Sequence, residues 1–130
     1  MEATRPIGNF SFGKKEKLKS KMLIGQLFSE GRNLSVFPLK LIYLKVNKQE
    51  VPIKATVTVS KKNFKNAVHR NRIKRLLRES YRLNKGIVFN NTQENFAFLF
   101  LYLGKEMPAF KDVESKMKLL LEKFNARNHE

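Results

Sequence analysis

Basic side chains are concentrated in residues 61–85, and they are the groups in this sequence best suited to chemistry with a partner. The segment holds ten lysines and arginines against one acid, Glu79, so it carries +9 of the net charge of +16 on the 130-residue chain. Half of the ten are arginines, whose planar guanidinium binds phosphate through two hydrogen bonds and stacks on bases. A patch this dense predicts strong, salt-sensitive binding to a polyanion, with nucleic acid as the leading candidate.

A helix over Lys65–Asn84, capped by Asn63 or Asn66, would place these charges on one side. At about 100° per residue, a narrow apolar stripe falls opposite a polar ridge. The stripe consists of Ile73, Leu76, Leu77 and Tyr81, and the ridge of Asn71, Arg72, Arg75, Arg78 and Arg82. Arg70 falls at the edge of the apolar side, where we expect it to reach past the helix N-terminus to a carboxylate or to RNA. A solvated helix normally balances its charges with i,i+4 pairs, and a membrane-surface helix needs a wider apolar face, so we favour a nucleic-acid interface.

Catalytic and metal-binding residue types are scarce. The chain has no cysteine, one aspartate (Asp112) and two histidines (His69 and His129), and its acids from Glu79 onward are scattered. Metal-dependent nucleases need clustered carboxylates, and the sequence has no glycine-rich phosphate loop and no zinc-protease motif. We therefore predict no catalytic residue and no metal site in this chain. Its longest apolar run, Phe96–Leu103, is far shorter than the ~20 residues of a membrane span, which predicts a cytoplasmic protein.

Periodic patterns predict the elements that would carry this interface. Further helices are expected over Lys21–Glu30 and Phe110–Asn125, and strands over Val36–Val46, Pro52–Ser60 and Phe96–Leu103, with a short strand around Leu34–Phe37 as a candidate fourth. These elements predict an α+β fold, a two-layer α/β sandwich with one mixed sheet of about four strands and three helices. We expect one domain over residues 1–130, with an extended leader at 1–17, in which Phe10 and Phe12 dock in part, and a frayed tail at 126–130.

Two neighbouring segments form a motif that points to a particular protein family. Val59–Lys62 reads Val-Ser-Lys-Lys, and Asn66–Glu79 reads Asn-Ala-Val-His-Arg-Asn-Arg-Ile-Lys-Arg-Leu-Leu-Arg-Glu. Together with the helix end Leu27–Gly31, this resembles the bacterial ribonuclease P protein subunit over about residues 18–125. The resemblance implies a subunit of a ribonucleoprotein endoribonuclease that binds a catalytic RNA and the 5′ leader of precursor tRNA. The RNA, with magnesium bound mainly by the RNA itself, would remove the leader.

The resemblance also implies a left-handed β-α-β crossover through the basic helix, no membrane contact and no obligate protein partner. Residues facing the RNA would be Lys61, Lys62, Arg70, Asn71, Arg72, Lys74, Arg75, Arg78 and Arg82, and residues lining the leader cleft would be Ile24, Phe28, Thr56, Thr58 and Ser60. For Phe28 the alternative is core packing, since an aromatic at helical spacing is commonly buried. The alternative function is that of a structural RNA-binding protein of ribosomal type. A stand-alone nuclease is disfavoured because the carboxylate cluster is missing.

Overall fold

The computed structural model describes residues 12–47, 49–90 and 94–128. Within these ranges the chain forms a 3-10 turn at Lys14–Glu16, four helices and four strands. The helices are α1 (Lys21–Glu30), α2 (Ala67–Asn84), α3 (Gly86–Phe89) and α4 (Phe110–Asn128), and the strands are β1 (Arg32–Val36), β2 (Leu39–Val46), β3 (Ile53–Val59) and β4 (Asn95–Tyr102). The predicted α+β class is confirmed, with the short helix α3 as an addition.

The four strands form one mixed sheet in the order β1-β2-β4-β3. β2 pairs antiparallel with both β1 and β4, whereas β3 pairs parallel with β4. Two parallel neighbours need a crossover connection, which α2 and α3 supply here. The basic helix therefore lies within a β-α-β unit, and the left-handed sense of that unit stays a prediction.

The two faces of the sheet are covered differently. On one face α2 and α4 enclose the larger hydrophobic cluster, to which Phe98 and Phe124 contribute. On the other face α1 contacts β2 and β4 and buries a smaller cluster through Leu27. Alternation along β3 points Thr56 and Thr58 toward this second face, where both are half-buried. The part of the sheet beside α1 is consequently the more open surface.

The strand predicted over Val36–Val46 is divided in the structure. A turn at Phe37–Pro38 separates β1 from β2, and the two strands then pair with each other from Val36 opposite Leu39 onward. The candidate fourth strand around Leu34–Phe37 therefore corresponds to β1, which begins two residues earlier and ends at Val36. A proline cannot donate to a β-ladder, which is the physical reason for a break at this position.

Local capping sets the helix ends. α1 has the predicted bounds, and the Ser20 hydroxyl caps it. α2 begins at Ala67 rather than Lys65, because the Asn66 side chain accepts a hydrogen bond from the Val68 amide at 2.8 Å. α4 continues to Asn128, so it includes the first residues of the tail that was expected to be frayed.

Residues 12–19, which we call the N-terminal strap, fold back against the basic helix. Glu16 forms an ion pair with Lys85, just beyond α2, and their side chains are 14% and 4% exposed. Phe12 packs edge-on against Tyr81, with the ring centroids 5.7 Å apart. The described part of the predicted extended leader is thus a docked segment with a 3-10 turn, while Phe10 lies outside the described residues.

The strap also lies along the free edge of β3. Lys17 forms a parallel bridge with Ala55, and the Leu18 amide donates a hydrogen bond to the Ala55 carbonyl oxygen at 2.9 Å. The Leu18 side chain is buried in the smaller cluster beneath α1. The strap therefore passes around the edge of the sheet from the α2 side to the α1 side and covers part of an otherwise unpaired strand.

Candidate nucleic-acid interface

The exposed face of α2 carries what we call the arginine ridge, which consists of Arg72, Arg75 and Arg78. All three side chains are exposed, and no salt bridge in the described part of the chain includes any of them. Ile73 and Leu77 are fully buried on the opposite side of the helix. The helical spacing thus separates a docking stripe from free cations, as predicted, and leaves the cations available to a partner.

Three other predicted RNA contacts on α2 differ in their availability. Asn71 is exposed and Lys74 is half-buried. Arg82 is engaged by Glu79 through two hydrogen bonds, one of them from Nε to Oε2 at 3.3 Å. These hydrogen bonds lower the pKa of Glu79 and raise that of Arg82. Glu79, the acid of α2, therefore pairs with Arg82, so Arg82 is less available to an RNA partner than the three arginines of the ridge.

Arg70 reaches past the N-terminus of α2, as predicted, but its partners there are backbone oxygens. Its Nη1 donates to the carbonyl oxygens of Phe64 and Lys65 at 2.7 and 2.9 Å. Backbone oxygens take the place of the carboxylate, which is one of the two expected partners, and contact of Arg70 with RNA stays a prediction. Because both bonds end in the turn before the helix, Arg70 stabilises the connection between β3 and α2.

That connection joins the arginine ridge to the sheet. Its first residues, Lys61 and Lys62, are exposed, and the Lys62 amide donates to the Ser60 hydroxyl at 3.0 Å. Phe64 is buried further along, with its ring 6.0 Å from that of Tyr102. A buried aromatic side chain thus anchors the turn and holds two lysines at the surface between helix and sheet.

A cavity of about 430 Å³ lies where this turn meets the second face of the sheet. Four residues predicted to bind RNA or the leader line it together, namely Phe28, Thr58, Ser60 and Lys62. The lining also contains residues that were not predicted to bind RNA or the leader, namely Asn63, Leu101, Tyr102, Leu103 and Lys105. The alternation of β4 could have identified Leu101, whereas no sequence signal marks Lys105, which follows the strand in a loop.

The predicted cleft residues on α1 have different environments. Phe28 is 59% exposed, so the core-packing alternative for it is wrong. Ile24, one helical turn earlier, is half-buried against the smaller cluster. Ile24 and Thr56 lie outside the lining of the cavity that Phe28 shares with Thr58. Phe28 therefore offers the free aromatic surface of this site.

The described residues do not form a metal centre. They contain no group of three or more histidine or acidic side chains placed to hold an ion. The magnesium that the resemblance implies would find no carboxylate cluster in this part of the chain, so we assign it no protein ligand. In addition, none of the helices described is both long and apolar enough to span a bilayer.

Known proteins similar to this chain share one description. The family model for ribonuclease P matches residues 12–125. The ribonuclease P protein component of Porphyromonas gingivalis (strain W83) is 37% identical over 113 residues, covering 84% of this chain and 82% of the relative. That of Chlorobium phaeobacteroides is 34% identical over 125 residues, covering 85% and 86%.

Solved structures show the same likeness in three dimensions. The RNase P protein of Staphylococcus aureus superposes with a TM-score of 0.70 at 19% identity, covering 85% of this chain and 96% of that protein. The RNase P protein from Thermotoga maritima gives 0.68 at 25% identity, covering 83% and 96%. The family match includes the N-terminal strap, the arginine ridge and the lining of the cavity.

Proposed function

This chain belongs to the ribonuclease P protein family and is a subunit of that ribonucleoprotein endoribonuclease, and on this premise we propose how its two surfaces divide the work. The arginine ridge, with Asn71, Lys74 and the lysines of the adjoining turn, binds the RNA subunit. The cavity beside Phe28 holds the single-stranded 5′ leader of precursor tRNA. Family membership favours this function over the ribosomal-type alternative.

The observation that carries the proposal is the junction between these surfaces. Lys62 follows β3 on the turn that leads into α2, and it also lines the cavity with Phe28. Sequence-tolerant binding of a single strand combines a positive groove with an aromatic platform on which a base stacks. Phe28 and Lys62 supply these two elements, and Lys62 lies on the connection that leads into α2, the helix that bears the arginine ridge.

The chain acts in this proposal through position and charge and breaks no bond itself. Cations of the arginine ridge neutralise phosphates where RNA strands converge, so the folded RNA needs less magnesium, which the RNA mainly binds. Binding of the leader makes the affinity for precursor tRNA higher than that for mature tRNA, which has no leader. The proposal also includes a single domain and a cytoplasmic location, the latter resting on family membership alone.

Phe28→Ala tests the cleft. The reconstituted complex of protein and RNA subunit should bind leader-bearing precursor more weakly by about 1–3 kcal/mol, the contribution of one stacked base, while its affinity for mature tRNA stays unchanged. Met22→Ala is the matched control, since Met22 is 77% exposed on the same helix and lies in a different cavity. Equal losses for precursor and mature tRNA would overturn the assignment of the cleft to the leader.

The role in charge neutralisation needs a separate measurement. Cleavage by the cognate RNA subunit should be faster with the protein than without it at low magnesium, and the difference should shrink as magnesium is raised. Equal rates at every magnesium concentration would remove this part of the proposal and leave the cleft assignment to its own test.

A further inference from the structure

Four large apolar side chains are exposed at the same end of the sheet. Phe37 is 71% exposed, Phe28 59%, Met107 38% and Leu103 37%, and we call them the sheet-end patch. Isolated exposed apolar residues are ordinary, but several that lie together mark an interaction surface. Only Phe28 of this patch has a role so far.

Hydrogen bonds and strand pairing place Phe37 beside the cavity. The Leu103 amide donates to the carbonyl oxygen of Pro38 at 2.7 Å, so the β1–β2 turn contacts the end of β4. Leu103 in turn lines the cavity together with Phe28. Because neighbouring strands lie about 4.8 Å apart and the turn joins β1 to β2, Phe37 is about 10–14 Å from the end of β3. The sheet-end patch therefore continues the cavity across β4 to this turn.

The charges around the patch fit a polyanion better than a protein. Lys62 and Lys105 line the cavity. Lys40 of β2 pairs with Leu101 of β4, which also lines the cavity, so the two side chains lie on the same face of the sheet. The cores of protein–protein interfaces are depleted in lysine, whereas single-stranded nucleic acid is bound by aromatic platforms surrounded by cations.

We propose that Phe37 is a second stacking platform for the single-stranded leader, next to the one provided by Phe28. The inference rests on the proposed function, because it takes the strand in the cavity to be the leader. A base stacks on the Phe37 ring, and Lys40 and Lys105 contact the phosphates of the same stretch. The single-stranded footprint of the protein then extends from the cavity to the β1–β2 turn.

The test is a double-mutant cycle between protein and substrate. Precursors with one abasic site at successive leader positions are bound by complexes containing wild-type protein, Phe28→Ala or Phe37→Ala. We expect Phe37→Ala to weaken binding of the intact precursor about 5- to 150-fold, as for the removal of one stacked base. At one leader position the abasic site should cause no further weakening in Phe37→Ala, and this position should differ from the one coupled to Phe28.

Two further variants separate stacking from other effects. Phe37→Trp should keep wild-type affinity, since a larger ring still stacks, and Leu119→Ala, which alters a 48% exposed side chain on α4, should do the same. An unchanged affinity in Phe37→Ala, or a weaker affinity with no coupling to any leader position, overturns the inference. If Phe28→Ala also shows no coupling to any leader position, the proposed leader site is refuted together with the inference. If Phe28→Ala shows coupling and Phe37→Ala shows none, only the role of Phe37 is refuted.

Discussion

The N-terminal strap and the arginine ridge are both strongly basic in sequence, yet two of the strap's four lysines have partners within the chain. In the strap, Lys15 pairs with Glu50 at 3.1 Å and Lys17 lies 5.8 Å from the centre of the Phe12 ring. No salt bridge of the described residues reaches the three arginines of the ridge. Local charge density therefore does not reveal which charges are available to RNA, because availability depends on the acids and aromatic rings that the fold places beside each cation.

Burial explains why the ion pair between Glu16 of the strap and Lys85 contributes more to stability than the surface pair of Lys15 with Glu50. Lys85 and Glu16 are largely removed from water beside the fully buried ring of Tyr81. Burial raises the pKa of Tyr81 well above its ordinary value, and the charge of Glu16 adds to that rise. A charge in such surroundings needs its partner, whereas an exposed pair contributes little to stability. The strap is thus part of the folded core, whereas the arginine ridge is exposed at the surface.

Lys85→Met should give the largest effect, because it leaves the Glu16 carboxylate buried without its partner. We expect the free energy of unfolding, measured in urea, to fall by about 3–5 kcal/mol. The double variant Glu16→Leu with Lys85→Met should recover most of this stability. Lys15→Met, which removes a lysine from an exposed pair, should stay within about 1 kcal/mol of wild type. Equal destabilisation in the two lysine variants would break the contrast between buried and surface pairs.

Arg70→Ala asks whether Arg70 belongs to the folded frame or to the ridge. Removal of its two hydrogen bonds to backbone oxygens should lower the free energy of unfolding by about 1–3 kcal/mol. Arg72→Ala is the matched control and should leave stability unchanged, since Arg72 is exposed. If Arg70→Ala unfolds like wild type but binds RNA as weakly as Arg72→Ala does, Arg70 acts with the arginine ridge.

Arg75→Ala tests the arginine ridge through the salt dependence of binding to the RNA subunit. The slope of log affinity for the RNA subunit against log salt should decrease by about 0.7–0.9 for each phosphate that the protein no longer neutralises. Replacing the pair by Glu79→Gln with Arg82→Gln removes an arginine at constant net charge and should change the slope less. A larger change in the double variant would show that Arg82, despite its acid partner, binds RNA phosphates more than Arg75 does.

The smallest expected effect is the pH dependence of the Glu79–Arg82 pair. Hydrogen bonding to Arg82 lowers the pKa of Glu79 below its ordinary value of 4.5 in the folded protein. Its stabilisation is therefore present above that ordinary value and is lost as the pH falls through the lowered pKa. The small stability advantage of wild type over Glu79→Gln should vanish across this acidic window in urea titrations, and an advantage that persists at lower pH would contradict the pairing.

Much of the fold could be predicted because its patterns are local. The bounds of α1, the presence of the apolar strand β4 and the buried stripe of α2 follow from periodicity and from Ser20 as a cap. The turn that divides the first predicted strand was not predicted, and β1 was only a candidate fourth strand, since an apolar run such as 34–46 has the same pattern with or without a turn. The docking of the strap could not be predicted, because the Glu16–Lys85 contact spans a large separation in sequence.

The sequence alone predicted a polyanion-binding face on one helix, and its Val-Ser-Lys-Lys and Arg-Asn-Arg segments identified the family. Charge and helical period suffice for that, because both are properties of neighbouring residues. Only the tertiary structure decided which cations are free, that Arg70 holds a turn and that Phe28 is exposed. It also brought Phe37 next to the same cavity. Whether a side chain is available to a partner, and which residues lie near it, depends on contacts between residues far apart in sequence. Strand pairing and burial make these contacts, and they form only in the folded chain.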